Sequence, residues 1–229
     1  MEDAPDPHRL TVGADASVLI DLVTGKRLQN LKELFGQVAV PALVCAEIER
    51  GRSAHPVNEG ILRADYLVRV AADDPDDLQL MADFHTIWRS VLPANAGEAE
   101  LVVLSRRYSW IALVEDRQGR EAACREDVYP VRLTTCAISA AACGVMSLDR
   151  AWGLHHGYHA RRTRSAVIGT TTSDQARFDH VVRVVTRLHD RLDHAPWPGI
   201  LNHPTLEPGE LDELVAASAT DNPDQKGRS

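Results

Sequence analysis

Four acidic residues stand out by where they fall against the hydrophobic pattern: Asp15, Glu47, Glu98 and Asp116. Asp15 ends a short apolar run at 10–14 (LTVGA), and Asp116 ends another at 110–115 (WIALVE). Glu98 opens a helical pattern at 98–108 (EAELVVLSRRY). Glu47 lies about one and a half helical turns beyond Pro41, in ALVCAEIERG. Carboxylates gathered without a cation repel each other. Unit charges about 4 Å apart cost roughly 4 kcal/mol at an effective dielectric near 20. An all-oxygen set with no His or Cys nearby suits Mg²⁺ or Mn²⁺. The matching chemistry is metal-assisted hydrolysis of a phosphodiester, with the metal activating water and stabilising the in-line transition state.

These acids need a scaffold that brings distant segments to one edge. In open α/β sheets ligands sit outside the carboxyl ends of the strands. The pattern predicts strands at 10–14, 37–40, 67–71, 110–115 and 129–133. Between them it predicts helices at 17–24, 28–34, 42–50, 78–91, 98–108 and after 116, with a loop and then a helix in 53–66 and a small-residue helix at 135–146. Ser17 is a candidate N-cap, and Gly25 and Gly51 end their helices. Pro41 suits a helix start. Strands alternating with helices indicate a parallel sheet, and all four acids then fall at its carboxyl edge. The acidic DDPDD at 73–77 reads as a solvated turn. Beyond residue 149 the character changes. LHHGYHARRTRS (154–165) shows no clear period, and Gly153 and Gly157 argue against the helix that a His155/His159 metal pair would need. Residues 172–194 form a strong amphipathic pattern, 208–216 a short helix, and 1–9 and 218–229 polar termini expected to be disordered.

The 229 residues suffice for one large domain, or for a domain with an appendage. A net charge of −8 excludes a globally basic nucleic-acid binder. Segment 150–191 nevertheless carries eight Arg against three Asp, which is either a phosphate-binding face or a solvated helix surface. No apolar run approaches the roughly 18–20 residues of a membrane helix, and the acidic start argues against a secretory signal. The four cysteines form no CxxC pair. A reduced, cytoplasmic protein is expected. GxSxG, Walker A and GxGxxG motifs are absent.

The strings VGADASVLIDL, AVPALVCAEIERG and GEAELVVLSRRYSWIALVEDRQGREAA resemble the signature segments of PIN-domain ribonucleases, in particular VapC-type toxins. The resemblance spans roughly residues 10–147. It implies a three-layer α/β/α sandwich around a parallel sheet, here at 10–148, followed by a helical C-terminal extension at 149–217 with no counterpart in a compact toxin. It also implies Asp15, Glu47, Glu98 and Asp116 as catalytic metal ligands for Mg²⁺ or Mn²⁺, RNA as substrate, an antitoxin covering the acidic cleft, and a homodimer. Many relatives carry Asp where this chain has Glu98. An inactive PIN-like binding module and a DNA nuclease are the rival readings. Among the neighbours, Glu100 is expected to be solvated, Asp21 a surface or supporting acid, and Glu115 turned away. Ser17 either caps its helix or hydrogen-bonds Asp15 or a metal-held water. Arg117 and Arg120 either hold RNA phosphate or pair with an acid such as Glu121. Helix 172–194 serves its own core first, with a dimer or antitoxin contact as alternatives.

Overall fold

A computed structural model describes residues 6–72, 78–90, 95–159 and 172–220. The DDPDD turn at 73–77, the arginines at 161, 162 and 164, and residues 1–5 and 221–229 lie outside the described residues. The chain divides into two compact units, one ending at Val131 and one beginning at Arg132.

In the first unit β1 (Val12–Ala14) leads to α1 (Ala16–Thr24), α2 (Gln29–Phe35), β2 (Val38–Pro41) and α3 (Ala42–Arg50). A 3-10 turn and α4 (Glu59–Leu62) precede β3 (Leu67–Val70). Next come α5 (Leu78–Ser90), α6 (Ala96–Tyr108), β4 (Ile111–Leu113), α7 (Arg117–Arg125) and β5 (Pro130–Val131). The five strands form one parallel sheet in the order β3-β2-β1-β4-β5, the centre of a three-layer α/β/α sandwich with further helices after it. Pro130 is tolerated because β5 is the last strand in the order.

The register explains the packing. Gly13 lies level with Ala39 of β2 and Ala112 of β4, so three small residues form a row across the sheet. Helix α6 lies over that row. A Cβ on Gly13 would come within 2.6 Å of Leu101 Cδ1. Every residue of α6 from Gly97 to Ser105 is buried, so this helix is interior all round rather than striped as its sequence suggested. It shares its cluster with Leu80 and Ile87 of α5, Val68 and Val70 of β3, and Ala122 and Ala123 of α7. Alternate strand residues Val12, Ala14, Val38, Val40, Ile111 and Leu113 are buried as well. Burial on both faces accounts for the continuous apolar runs of a parallel sheet.

Part of the N-terminal stretch expected to be disordered is structured. Asp6 caps a 3-10 turn at Pro7–Arg9, and the Trp110 indole donates to the Pro7 carbonyl at 3.0 Å.

The second unit contains α8 (Leu133–Ala142), α9 (Leu148–His159), α10 (Thr172–Arg191) and α11 (Glu210–Thr220). Helix α8, which the sequence places in the nuclease domain, belongs to this unit. Helix α9 corrects another expectation, since it continues through Gly153 and Gly157. Burial outweighs the cost of two glycines, about 1 kcal/mol each: Ala151, Leu154 and His155 are almost fully enclosed. The apolar face of α10 (Phe178, Val181, Val185) is buried and packs on α8, α9 and α11. It therefore serves its own core, the first of the three readings. Helix α11 runs to Thr220, beyond the expected end at 216. Its Asp212 accepts from the Arg132 amide at 3.2 Å and from the Thr135 hydroxyl, joining α11 to α8.

Candidate active site

Strand order puts a topological switch at the β1/β4 pair. The chain winds outward from β1 to β3, then returns to the other side of β1 as β4. Ligands of open α/β sheets bind at such a point, beyond the strand ends. Asp15 follows β1 directly, and its amide donates to Leu113 O at 3.2 Å, so the two strand ends are tied together.

Asp15 is the N-cap of α1. Its carboxylate accepts from the Ser17 amide at 3.1 Å and the Ser17 hydroxyl at 2.6 Å. The cap is therefore Asp15 rather than Ser17, and Ser17 supports the acid from the first turn. Asp116 plays the same part for α7, accepting from the amides of Gln118 at 2.8 Å and Gly119 at 3.2 Å. Each carboxylate sits at the positive end of a helix dipole.

Glu98, in the first turn of α6, is in a different position. It is buried, with one side-chain donor, Asn95 Nδ2, at 3.2 Å. Burial first, and then the charges of Asp15 and Asp116, push its carboxyl up to about 7; Asn95 opposes the shift and Glu47 adds to it. Glu47, on α3, is raised too, by partial desolvation of its carboxyl and then by Asp15, with Arg50 opposing. The residue as a whole is exposed. Glu98 thus feels all three of the other acids, which arrive from α1, α3 and α7.

Two glycines allow this approach. A Cβ on Gly119 would lie 2.9 Å from Glu98 Oε2, and one on Gly97 would lie 3.0 Å from Val44 Cγ2 and 3.6 Å from Glu47 Oε2. Neither glycine, nor Asn95, was singled out from the sequence. Asn95 carries a legible signal, as a capping-type residue three positions before Glu98. Instead of capping α6 it donates to the acid.

The neighbours sort differently from expectation in one case. Glu100 is buried rather than solvated, because α6 is enclosed on all sides. Its two oxygens accept from the amides of Leu43 at 2.6 Å and Ala72 at 3.0 Å. It thereby holds the first turn of α3 and the end of β3. Asp21 and Glu115 are half-buried. Arg117 pairs with Glu121 at 2.7 Å on the surface, and Arg120 donates to the Glu115 carbonyl. His155 is a core residue: it is fully buried, with Nδ1 3.0 Å from Thr134 Oγ1 and its ring against Trp152 and Phe178. The side chain of His159 lies outside the described residues.

The donor set of the cluster is carboxylate oxygen, with a buried member pushed towards protonation by desolvation and then by its neighbours. That arrangement fits a hard divalent cation, which would remove the repulsion and hold all four in the charged form. Comparison with curated proteins and with solved structures gives no match. Comparison with protein families gives one: residues 11–132 match a family described as DUF3368, a PIN domain.

Proposed function

This chain belongs to the PIN-domain family, and from that premise we propose that it is a metal-dependent endoribonuclease. We further infer the toxin of a toxin–antitoxin pair, or a related PIN nuclease, as its biological setting. PIN domains have a nuclease-type fold and generally use divalent metals. The observation that carries the reading is Glu98, a buried acid pushed up to about 7 with Asp15, Asp116 and Glu47 around it. Such a cluster is costly without a cation and well matched to Mg²⁺ or Mn²⁺. When bound, the metal would supply Lewis-acid stabilisation of the phosphoryl oxygens and an activated water.

The protein's own groups prepare that site. The Ser17 hydroxyl and three backbone amides fix Asp15 and Asp116, and Asn95 orients Glu98. Arg117 is held by an exposed ion pair. Such pairs contribute about 0–1 kcal/mol, so an incoming phosphate could take its place. Arg120 is engaged with the Glu115 carbonyl at the same turn. RNA is the proposed substrate, and an antitoxin and a second copy of the chain are the proposed partners. No helix among the described residues is long and apolar enough to cross a membrane; a cytoplasmic location is part of the proposal.

Asp15→Asn tests the assignment, because the amide keeps the shape and an acceptor for Ser17. Cleavage of RNA in Mn²⁺ should fall on the order of a hundredfold or more. Metal-free stability should rise by about 1 kcal/mol as one repelling charge is removed. Full cleavage by the variant would refute the site. A wild-type protein that binds no Mn²⁺ by calorimetry and cuts neither RNA nor DNA would point to a binding module instead.

A further inference from the structure

We propose that His189, Asp190 and His194, at the C-terminal end of α10, form a second cation site, one that takes a borderline transition metal such as Zn²⁺. One ligand atom from each of the three lies within 4.8 Å of the others. Asp190 Oδ1 is 3.6 Å from His194 Nδ1, and the two imidazole rings stand edge to face with centroids 5.3 Å apart.

Three further features distinguish this from a chance surface cluster. His189 Nε2 is 3.0 Å from the Ala195 carbonyl oxygen. A carbonyl can only accept, so Nε2 carries the proton and Nδ1 keeps its lone pair. Metal-binding histidines are oriented in this way, with the second nitrogen donating to a carbonyl or carboxylate. The chain is also folded back to bring His194 into place. Asp193 and His194 both adopt left-handed backbone conformations, φ 52° and 54°, and the His194 amide reaches the His189 carbonyl at 3.1 Å. Left-handed residues commonly close a helix C-terminus, and here they carry His194 back beside His189. Finally, the donor set differs from that of the acid cluster. Two imidazoles and one carboxylate suit zinc, cobalt, nickel or copper, whereas Mg²⁺ prefers oxygen alone. Three protein donors leave the fourth position of a tetrahedral ion open.

The spacing His-Asp-x-x-x-His is visible in HDRLDH, but positions 189 and 194 are five apart, too far to share a face on a continuous helix. The turn after Arg191 makes them neighbours.

The test uses the full-length chain without an affinity tag, stripped with chelator and held in excess Mg²⁺ so that the all-oxygen cluster is occupied. Zn²⁺ is titrated calorimetrically, and Co²⁺ is followed by its visible absorption. Wild type and Asp15→Asn should each bind one Zn²⁺ with equal affinity. His194→Ala and Asp190→Asn should each lose at least about tenfold in affinity, and the cobalt absorption should fade with them. Should His194→Ala misfold by circular dichroism, Asp190→Asn decides. Zinc affinity unchanged in the folded variants would overturn the proposal, leaving the histidines as a polar helix end beside Asp190. Loss of zinc binding in Asp15→Asn alone would overturn it equally, since the metal would then belong to the acid cluster.

Discussion

At the scale of single residues, Glu98 and Glu100 show how two acids on one helix divide between the candidate site and the scaffold. Glu98 faces three other carboxylates, with Asn95 as a neutral donor. Glu100 is satisfied by two backbone amides. For Glu98 the folded-state value, about 7, lies above its ordinary 4.5. The folded protein therefore holds a proton that the unfolded chain releases, and stability falls as pH rises between those values. The difference is worth roughly 3 kcal/mol at most. Urea unfolding of metal-free protein should thus show stability declining from pH 5 to pH 8. Glu98→Gln should flatten that decline, and saturating Mn²⁺ should reverse it. Metal affinity should rise with pH up to about 7, because the ligands must be deprotonated. Glu100→Ala should behave quite differently. It orphans the amides of Leu43 and Ala72, at about 1–3 kcal/mol each, so the variant should unfold at lower urea. An equal loss of stability in Glu98→Gln would contradict this division.

At the scale of elements, α6 is the part on which the site depends. It is enclosed all round, lies against the Gly13–Ala39–Ala112 row, and presents Glu98 from its first turn. Near its other end Arg106 bridges Asp83 of α5 and Glu126 after α7. Gly13→Ala should cost about 1–3 kcal/mol, since its methyl group would meet Leu101 Cδ1 at 2.6 Å and Trp110 Cε3 at 3.3 Å, both on buried side chains. Gly119→Ala is the more informative variant. Its Cβ would crowd Val114 at 2.8 Å and Glu98 Oε2 at 2.9 Å. Mn²⁺ affinity and cleavage should both drop, by more than the unfolding midpoint would account for. Wild-type metal binding in this variant would mean that Glu98 is not held where the cluster requires it.

At the scale of the whole molecule, an acidic chain of net charge −8 must bind an anionic polymer through local features. The excess of arginine in 150–191 is the candidate face. In its described part Arg183, Arg187 and Arg191 of α10 are exposed, and Arg177 is paired with Asp174 at 3.6 Å. If these residues bind phosphate, affinity for RNA should fall linearly with salt on a logarithmic scale. Replacing Arg183 and Arg187 with Gln should reduce that slope by about one for each phosphate no longer neutralised. The measurement is best made on the Asp15→Asn background, where the RNA stays intact. An unchanged slope would return the arginines to the role of a solvated helix surface.

The parallel α/β architecture was legible in the sequence because two periodicities alternate along it, and because each acid falls at the end of an apolar run or inside a helix that follows one. Such local signals survive without any knowledge of partners. Asp15 and Asp116 could be picked out for this reason, since each directly follows an apolar run, although Ser17 rather than Asp15 read as the cap of α1. What tertiary structure decided is whatever depends on residues far apart in sequence. Full enclosure of α6 made Glu100 a buried clamp on α3 and β3, although its spacing from Glu98 suggested a solvated residue. Burial kept α9 helical through Gly153 and Gly157, against their local propensity. Gly119 matters because Glu98, twenty-one positions earlier, packs against it beside Val114. The raised protonation of Glu98 is the same kind of property: it arises from charges on three other segments and from desolvation, neither of which a linear pattern contains.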